Sequence, residues 1–277
     1  MIDELVQVED REEIPMEDIT RDEIFNLIKY KVKQKKAPGE DGITGEILKQ
    51  LPSKAIAKLA EIFNFMVKIG YPPAVWKTAE VIVMPKSGKP LEKVSSYRPI
   101  SLLSTLSKLF ERTYLKRLIP LLEDRKIIPS HQFGFRASHS TIEQVHRVVA
   151  LIEKTLEKKE FCSTVFLDVA QAFDKVWHLG LLYKIRTLLP YNHFNLIKSY
   201  LQQRKFRVRF NNSYSSYRVI RAGVPQGSVL GPFLYNIFTS DIPKPKKGFI
   251  GTFADDTALA ERDKDLATAR ETTGIAQ

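Results

Sequence analysis

The sequence predicts an α+β chain in which antiparallel hairpins are backed by amphipathic helices. Two observations carry this. Apolar residues recur at i, i+3, i+4 and i+7 in several long segments, the period of a half-buried helix. Short runs rich in Val, Ile, Phe and Thr instead alternate, or stay apolar between turn residues, as strands do. Hydrophobic residues fill 43% of the 277 positions, enough for a sizeable core.

Taken in order, Thr20 and Glu23 form a capping box ahead of Ile24, Leu27, Ile28 and Val32, which predicts a first helix to about Lys35. Pro38, Gly39 and Gly42 then make a loop, and Asp41 caps a short helix ending near Pro52. Ile56, Leu59, Ala60, Phe63, Met66 and Val67 line one face of a helix that Gly70 and Pro72-Pro73 close. "TAEVIVMP" reads as a strand, "SLLSTLSKLFERTYLKRLIPLLE" as a long helix, and Thr141 to Lys159 as another after the turn "HQFGFRASHS". "CSTVFLD" is a buried strand ending at Asp168, with helices following at 179–189 and 194–202. "KFRVRFNNSYSSYRVI" is a hairpin, and "QGSVLGPFLYNIFTSDI" a glycine-rich turn feeding a helix. A last hairpin pairs 248–253 with 257–260 and sets Asp255 and Asp256 at its bend.

Charge is uneven. Ten acids against Arg11 and Arg21 give residues 1–27 a net −8, so the +11 of the whole chain leaves +19 on residues 28–277. Such a basic body suits a polyanion, since Lys and Arg neutralise phosphates and release counterions. The negative charge of residues 1–27 is expected to sit in solvent rather than shield a basic groove. A lone cysteine, Cys162, excludes an internal disulfide and a cysteine-based zinc cluster, and points to an intracellular compartment. No signal-like N-terminus or apolar run of about 18 residues is present, so neither secretion nor a membrane partner is expected.

The aspartate pair poses the chemical question. Two close carboxylates repel by about 4 kcal/mol at an effective dielectric near 20, so the pair calls for a cation or a raised pKa. A tight bend alone is better served by Asn-Gly or Asp-Gly, although a solvated acidic turn competes as a reading of this segment taken by itself. Asp168 ends the other apolar strand that stops at an acid, and pairing of the two strands brings three carboxylates to one edge. Hard oxygen donors without nearby His or Cys select Mg²⁺ or Mn²⁺. Two such ions about 3.5–4 Å apart serve phosphoryl transfer, the chemistry of polymerases and nucleases.

Six blocks then bear on identity: "KAPGEDGI", "YRPISLLSTLSKLFER", "HQFGFRASHSTIEQV", "VFLDVAQAFDKVWH", "AGVPQGSVLGPFLYNIFTSDIP" and "FADD". In this order, from Lys36 to Ala260, the chain resembles the reverse transcriptases of non-LTR retrotransposons, most like jockey-type elements of animals. The resemblance implies right-hand polymerase fingers and palm. The boundaries expected are an acidic segment and first helix at 1–35, a mainly helical fingers region with part of the palm at 36–160, and the palm at 161–277.

It further implies an RNA-directed DNA polymerase that extends a primer 3′-hydroxyl with dNTPs by a two-metal mechanism. RNA template and DNA primer are the implied partners. Asp168, Asp255 and Asp256 are the implied catalytic carboxylates, with the Val169 carbonyl helping to hold one ion. Phe173, five residues beyond Asp168, matches an aromatic gate against ribonucleotides. Gln226 and Gly227 match residues beside the incoming nucleotide, and Lys86 and Arg98 match residues that hold its triphosphate. Gln132, Gly134, Phe135 and Arg136 match a block that contacts the template and braces fingers against palm. Arg204, Lys205, Arg207 and Arg209, with Arg218 and Arg221, form an acid-free basic hairpin interleaved with aromatics, expected to track a nucleic-acid backbone. Asp174, Trp177 and His178 read as structural. The chain ends about twenty residues after Asp256, so a thumb is expected to be absent and, with an endonuclease, to belong to the full-length element protein. Residence in the nucleus, the cytoplasm or both follows. Two alternatives remain: a truncated remnant that binds nucleic acid without polymerising, and an RNA-dependent RNA polymerase, against which the aromatic Phe173 argues.

Overall fold

The computed structural model describes residues 13–93, 96–243 and 248–265. The chain forms two compact units, interleaved in sequence: one runs through Arg125 and resumes at Phe173–Leu234, the other comprises Lys126–Ala172 and the segment from Tyr235 onward. The contiguous boundaries at 35/36 and 160/161 do not coincide with this division.

In the first unit, helices α1 (Arg21–Lys31), α2 (Gly45–Lys49), α3 (Ser53–Ile69) and α4 (Thr105–Asp124) come from the N-terminal segment. Thr20 caps α1 by accepting from the Glu23 amide at 3.1 Å, and Ile24, Leu27 and Ile28 form its buried face. The helix stops at Lys31, short of Lys35, because Val32 is already extended and Lys35 has a positive φ of 56°. α3 buries Ile56, Ala60, Phe63 and Met66, and its periodicity gives it away in the sequence. Phe63 meets Phe110 edge to face at 5.3 Å between centroids and Trp76 at 6.1 Å, which anchors the aromatic core.

The described part of the acidic segment is packed through its backbone and Ile19, while the acids Glu13, Glu17, Asp18 and Asp22 stay exposed. Ile19 is 2% exposed, with its backbone paired to the Asn64 amide at 2.7 and 3.0 Å. Arg117 donates to the carbonyls of Glu17 and Asp18, and Asn192 to that of Ile14. Residues 1–12 lie outside the described residues.

The sheet of this unit has the order β2-β1-β4-β5, with β6 also on β4. β1 (Thr78–Pro85) pairs antiparallel with β2 (Tyr97–Leu102) and parallel with β4 (Lys205–Phe210), Val81 lying opposite Val208. β5 (Ser213–Tyr214) and β6 (Arg218–Val219) complete the predicted hairpin. β2 was not expected. Its Pro99 cannot donate to a ladder, and the strand lies at an edge, where proline is tolerated.

The second unit packs α5 (Thr141–Glu157) on a three-stranded antiparallel sheet of order β3-β8-β7. Its strands are β3 (Phe161–Leu167), β7 (Phe249–Phe253) and β8 (Asp256–Asp263). Ser140 and Glu143 close a reciprocal capping box on α5. Within the first unit, α6 (His178–Leu188) and α7 (Tyr191–Leu201) lie near their predicted places, and α8 (Gly231–Phe238) follows the glycine-rich turn across the unit boundary. No described helix is long and apolar enough to cross a membrane.

Candidate active site

The second unit holds the three aspartates. β8 is the central strand, with Leu167 of β3 opposite Thr257 and Phe253 of β7 opposite Asp256. Asp168 follows Leu167 and Asp256 precedes Thr257, so both aspartates sit at the same end of the β3–β8 pair, while Ala254 and Asp255 form the two-residue bend. Ala254 has φ +58°. Asp168 and Asp256 are exposed and border an apolar cleft of about 420 Å³ with Val145, Val149, Phe166 and Phe253. Asp255 is half-buried, and its charge, after burial, helps push the Tyr235 phenol up to about 12.

Oxygen-only donors at adjacent backbone positions fit a hard divalent cation in chemistry. Their side chains as they stand do not close a cage, since no three His, Cys, Asp or Glu among the described residues gather closely enough to enclose a metal. The Val169 carbonyl accepts from the Ala172 amide at 3.2 Å, leaving one lone pair for any other partner.

The "HQFGFR" block braces the bend. The Gln132 amide donates to the Ala254 carbonyl at 3.1 Å, and its oxygen accepts from the Ala254 and Gly134 amides at 3.0 and 2.8 Å. The neighbouring backbone adds Phe133 N to Thr252 O and Thr252 N to His131 O, both 2.9 Å. A Cβ on Gly134 would meet the Ala254 nitrogen at 2.1 Å, so only glycine fits. Gln132 is buried and committed to the hairpin, which corrects the expectation of a template contact there. Arg136 turns back on its own loop, toward the carbonyls of Pro129 and Gln132. Phe135 is exposed, with a positive φ of 62°.

The first unit holds the expected nucleotide residues. Met84 lies opposite Arg98, and the Lys86 amide donates to Ser96 O at 2.7 Å, so Lys86 and Arg98 are diagonal neighbours on one face of the β1–β2 pair. Arg98 is exposed. Gly227 has φ +110°, and a Cβ there would meet Ser101 O at 2.9 Å, a close approach within the fold itself. Phe173 is half-buried on a single 3₁₀ turn, and its carbonyl accepts from Val224 at 2.8 Å. The Gln226 amide donates to both oxygens of Asp174 at 2.9 Å. Partial burial raises the Asp174 pKa, and the Gln226 bond opposes that.

The basic hairpin is largely spoken for. Arg204 is 1% exposed, lies 4.8 Å from the Tyr200 ring and donates to the Tyr200 carbonyl, so it offers nothing to a phosphate backbone. Arg207 and Arg209 both donate to the buried Glu80 carboxylate, at 2.6 and 3.2 Å. Lys205, Arg218 and Arg221 remain exposed. Glu80 comes from β1, and nothing in the local run of bases announces it.

Two further residues escaped sequence reading. Glu111 on α4 is 1% exposed and accepts from the amides of Val229 and Leu230 at 2.6 and 2.9 Å, holding the turn that leads into α8. Gln144 of α5 donates to His131 O and Thr252 O at 2.7 and 2.8 Å, stitching the brace to β7. Their signal was visible only as polar residues interrupting apolar helix faces.

The sequence profile of the family described as reverse transcriptase (RNA-dependent DNA polymerase) matches residues 84–273. The chain is 48% identical over 254 residues to the probable RNA-directed DNA polymerase from transposon BS of Drosophila melanogaster, covering 89% of this chain and 28% of that protein. It is 44% identical over 270 residues to the RNA-directed DNA polymerase from mobile element jockey of the same fly, covering 95% of this chain and 29% of that protein. The chain thus spans under a third of these relatives' length. Among solved structures, telomerase from Candida tropicalis in complex with a fragment of telomeric RNA superposes with a TM-score of 0.50 at 13% identity, covering 82% of this chain and 42% of that one. That likeness is one of fold.

Proposed function

The chain belongs to the reverse transcriptase (RNA-dependent DNA polymerase) family, in its jockey-like non-LTR branch, and on that premise we propose that it extends a primer 3′-hydroxyl with dNTPs on an RNA template. The observation that supports the proposal is the β3–β8 register, whose last pair is Leu167 with Thr257, so that Asp168 and Asp256 are the next residues at one end of the sheet and Asp255 lies in the adjoining bend. In this reading Asp168 and Asp255, with the Val169 carbonyl, hold two Mg²⁺ or Mn²⁺ ions, and Asp256 supports them. Such ions, when bound, activate the attacking hydroxyl and neutralise charge on the leaving oxygen.

The chain's own groups do the rest. Arg98 and Lys86 hold the triphosphate as charge collects on departing pyrophosphate. Phe173 crowds a 2′-hydroxyl, while Gln226 and Gly227 border the nucleotide. Exposed Lys205 contributes to backbone binding. The β3-β8-β7 sheet with α5 is assigned as palm, and the helices Arg21–Asp124 as fingers. Thumb and endonuclease regions are assigned to the longer element protein, which acts on nicked DNA in the nucleus after synthesis in the cytoplasm.

Primer extension on an RNA template with Mg²⁺ tests this directly. Asp255→Asn is expected to lower the rate by on the order of 1,000-fold, about 4 kcal/mol. Salt-sensitive nucleic-acid binding by the wild-type chain with no extension at any Mg²⁺ or Mn²⁺ concentration would overturn the proposal.

A further inference from the structure

Asp174 lies outside the set of residues expected to meet the nucleotide, yet its carboxylate touches one of that set. Both Asp174 oxygens lie 2.9 Å from Gln226 Nε2. The backbone on each side is fixed: Val224 N donates to Phe173 O and Gly223 N to Val176 O, both at 2.8 Å, and Ser101 N donates to Gln226 O at 3.1 Å. The pair borders a cleft of about 250 Å³ lined also by Val81, Pro99, Phe206 and Pro225.

The chemistry allows one orientation. An ionised carboxylate only accepts hydrogen bonds, so the Gln226 amide must turn its nitrogen toward Asp174, and a flipped amide would set acceptor against acceptor. Oε1 is then the atom left to a ligand. We infer that Asp174 is a positioning residue that fixes the Gln226 amide with its carbonyl oxygen presented to the incoming nucleotide. This rests on the polymerase reading above. The group met there must donate a hydrogen bond. A phosphate oxygen, itself an acceptor and beside a carboxylate, is excluded.

The test is a double-mutant cycle in primer extension with Asp174→Asn, Gln226→Ala and the double variant, read as KM and kcat for each dNTP. Asparagine keeps the size of the side chain but can donate as well as accept, so it no longer dictates the amide's orientation. Asp174→Asn is expected to raise KM about tenfold with a smaller change in kcat, and to have no further effect in the Gln226→Ala background. Asp174→Glu, still an acceptor only, is expected to recover most of the wild-type KM. An unchanged KM, or an equal effect with and without Gln226, overturns the inference, as does a thermal midpoint that falls in step with KM. Wild-type extension separately checks the polymerase reading. If the wild-type chain extends nothing yet binds a fluorescent dATP analogue, the same cycle is read on Kd; if it binds none, both readings fall.

Discussion

The Gln132 side chain supplies both a donor and an acceptor to one residue, Ala254, and so does for the bend what a short strand would do. Ala254 needs that support. A left-handed φ costs a non-glycine residue roughly 1–2 kcal/mol, and here it is the first residue of the two-residue turn that carries Asp255. Truncation at Gln132 leaves buried backbone groups unmatched, so Gln132→Ala is expected to cost about 2–4 kcal/mol. Urea unfolding measures that loss, and faster amide exchange at Ala254 and Gly134 localises it. The aspartates were legible at this scale because paired acids between apolar strands are chemically conspicuous. The roles of Arg204, Arg207 and Arg209 were not, since the neutralising Glu80 is 127 residues before Arg207.

Among elements, the contact between α4 and the turn before α8 shows how distant sequence blocks support each other. The Glu111 carboxylate takes the two amides just before α8, where unpaired donors and the helix dipole favour a negative charge. Glu111→Gln keeps one acceptor and loses the charge, and is expected to destabilise the first unit by about 1–3 kcal/mol. Thermal unfolding reads the total, and early exchange at Leu230 and Leu234 identifies α8 as the first element to loosen. Helices α1, α3 and α5 were readable because each carries a 3.6-residue apolar stripe or a capping box. β2 was hidden, since Leu102 and Leu103 join its apolar residues to those of α4 and suggest one continuous helix. Parallel pairing of β1 with β4 has no local signal at all.

At the scale of the whole molecule, pH should act through a buried histidine. His193 is 3% exposed, with Nδ1 2.9 Å from the Tyr114 hydroxyl, and burial, then the charge of Arg125, lowers its pKa to about 4. The folded state therefore binds fewer protons than the unfolded chain between that value and an ordinary histidine pKa near ~6.5. Stability from this group is complete above the upper limit and is lost as pH falls to the lower one, by about 3 kcal/mol. Denaturation midpoints across that interval check it: His193→Gln, which still offers Tyr114 an acceptor, should flatten the decline. An unaltered slope would assign the acid limb to other groups.

The interleaving of the two units also governs the order of events during synthesis. Thr78–Pro85 emerges early from the ribosome, but its parallel neighbour Lys205–Phe210 follows only after all of Phe161–Leu167. Phe161–Leu167 must in turn wait for Asp256–Asp263. For an interval of translation, Thr78–Pro85 is paired with Tyr97–Leu102 on one side only, while Phe161–Leu167 is without any ladder partner on the same nascent chain. Such a chain is exposed to mispairing and aggregation until its last third has been made. Slowed elongation through codons 168–205 should therefore lower soluble yield more than the same delay placed after Asp263.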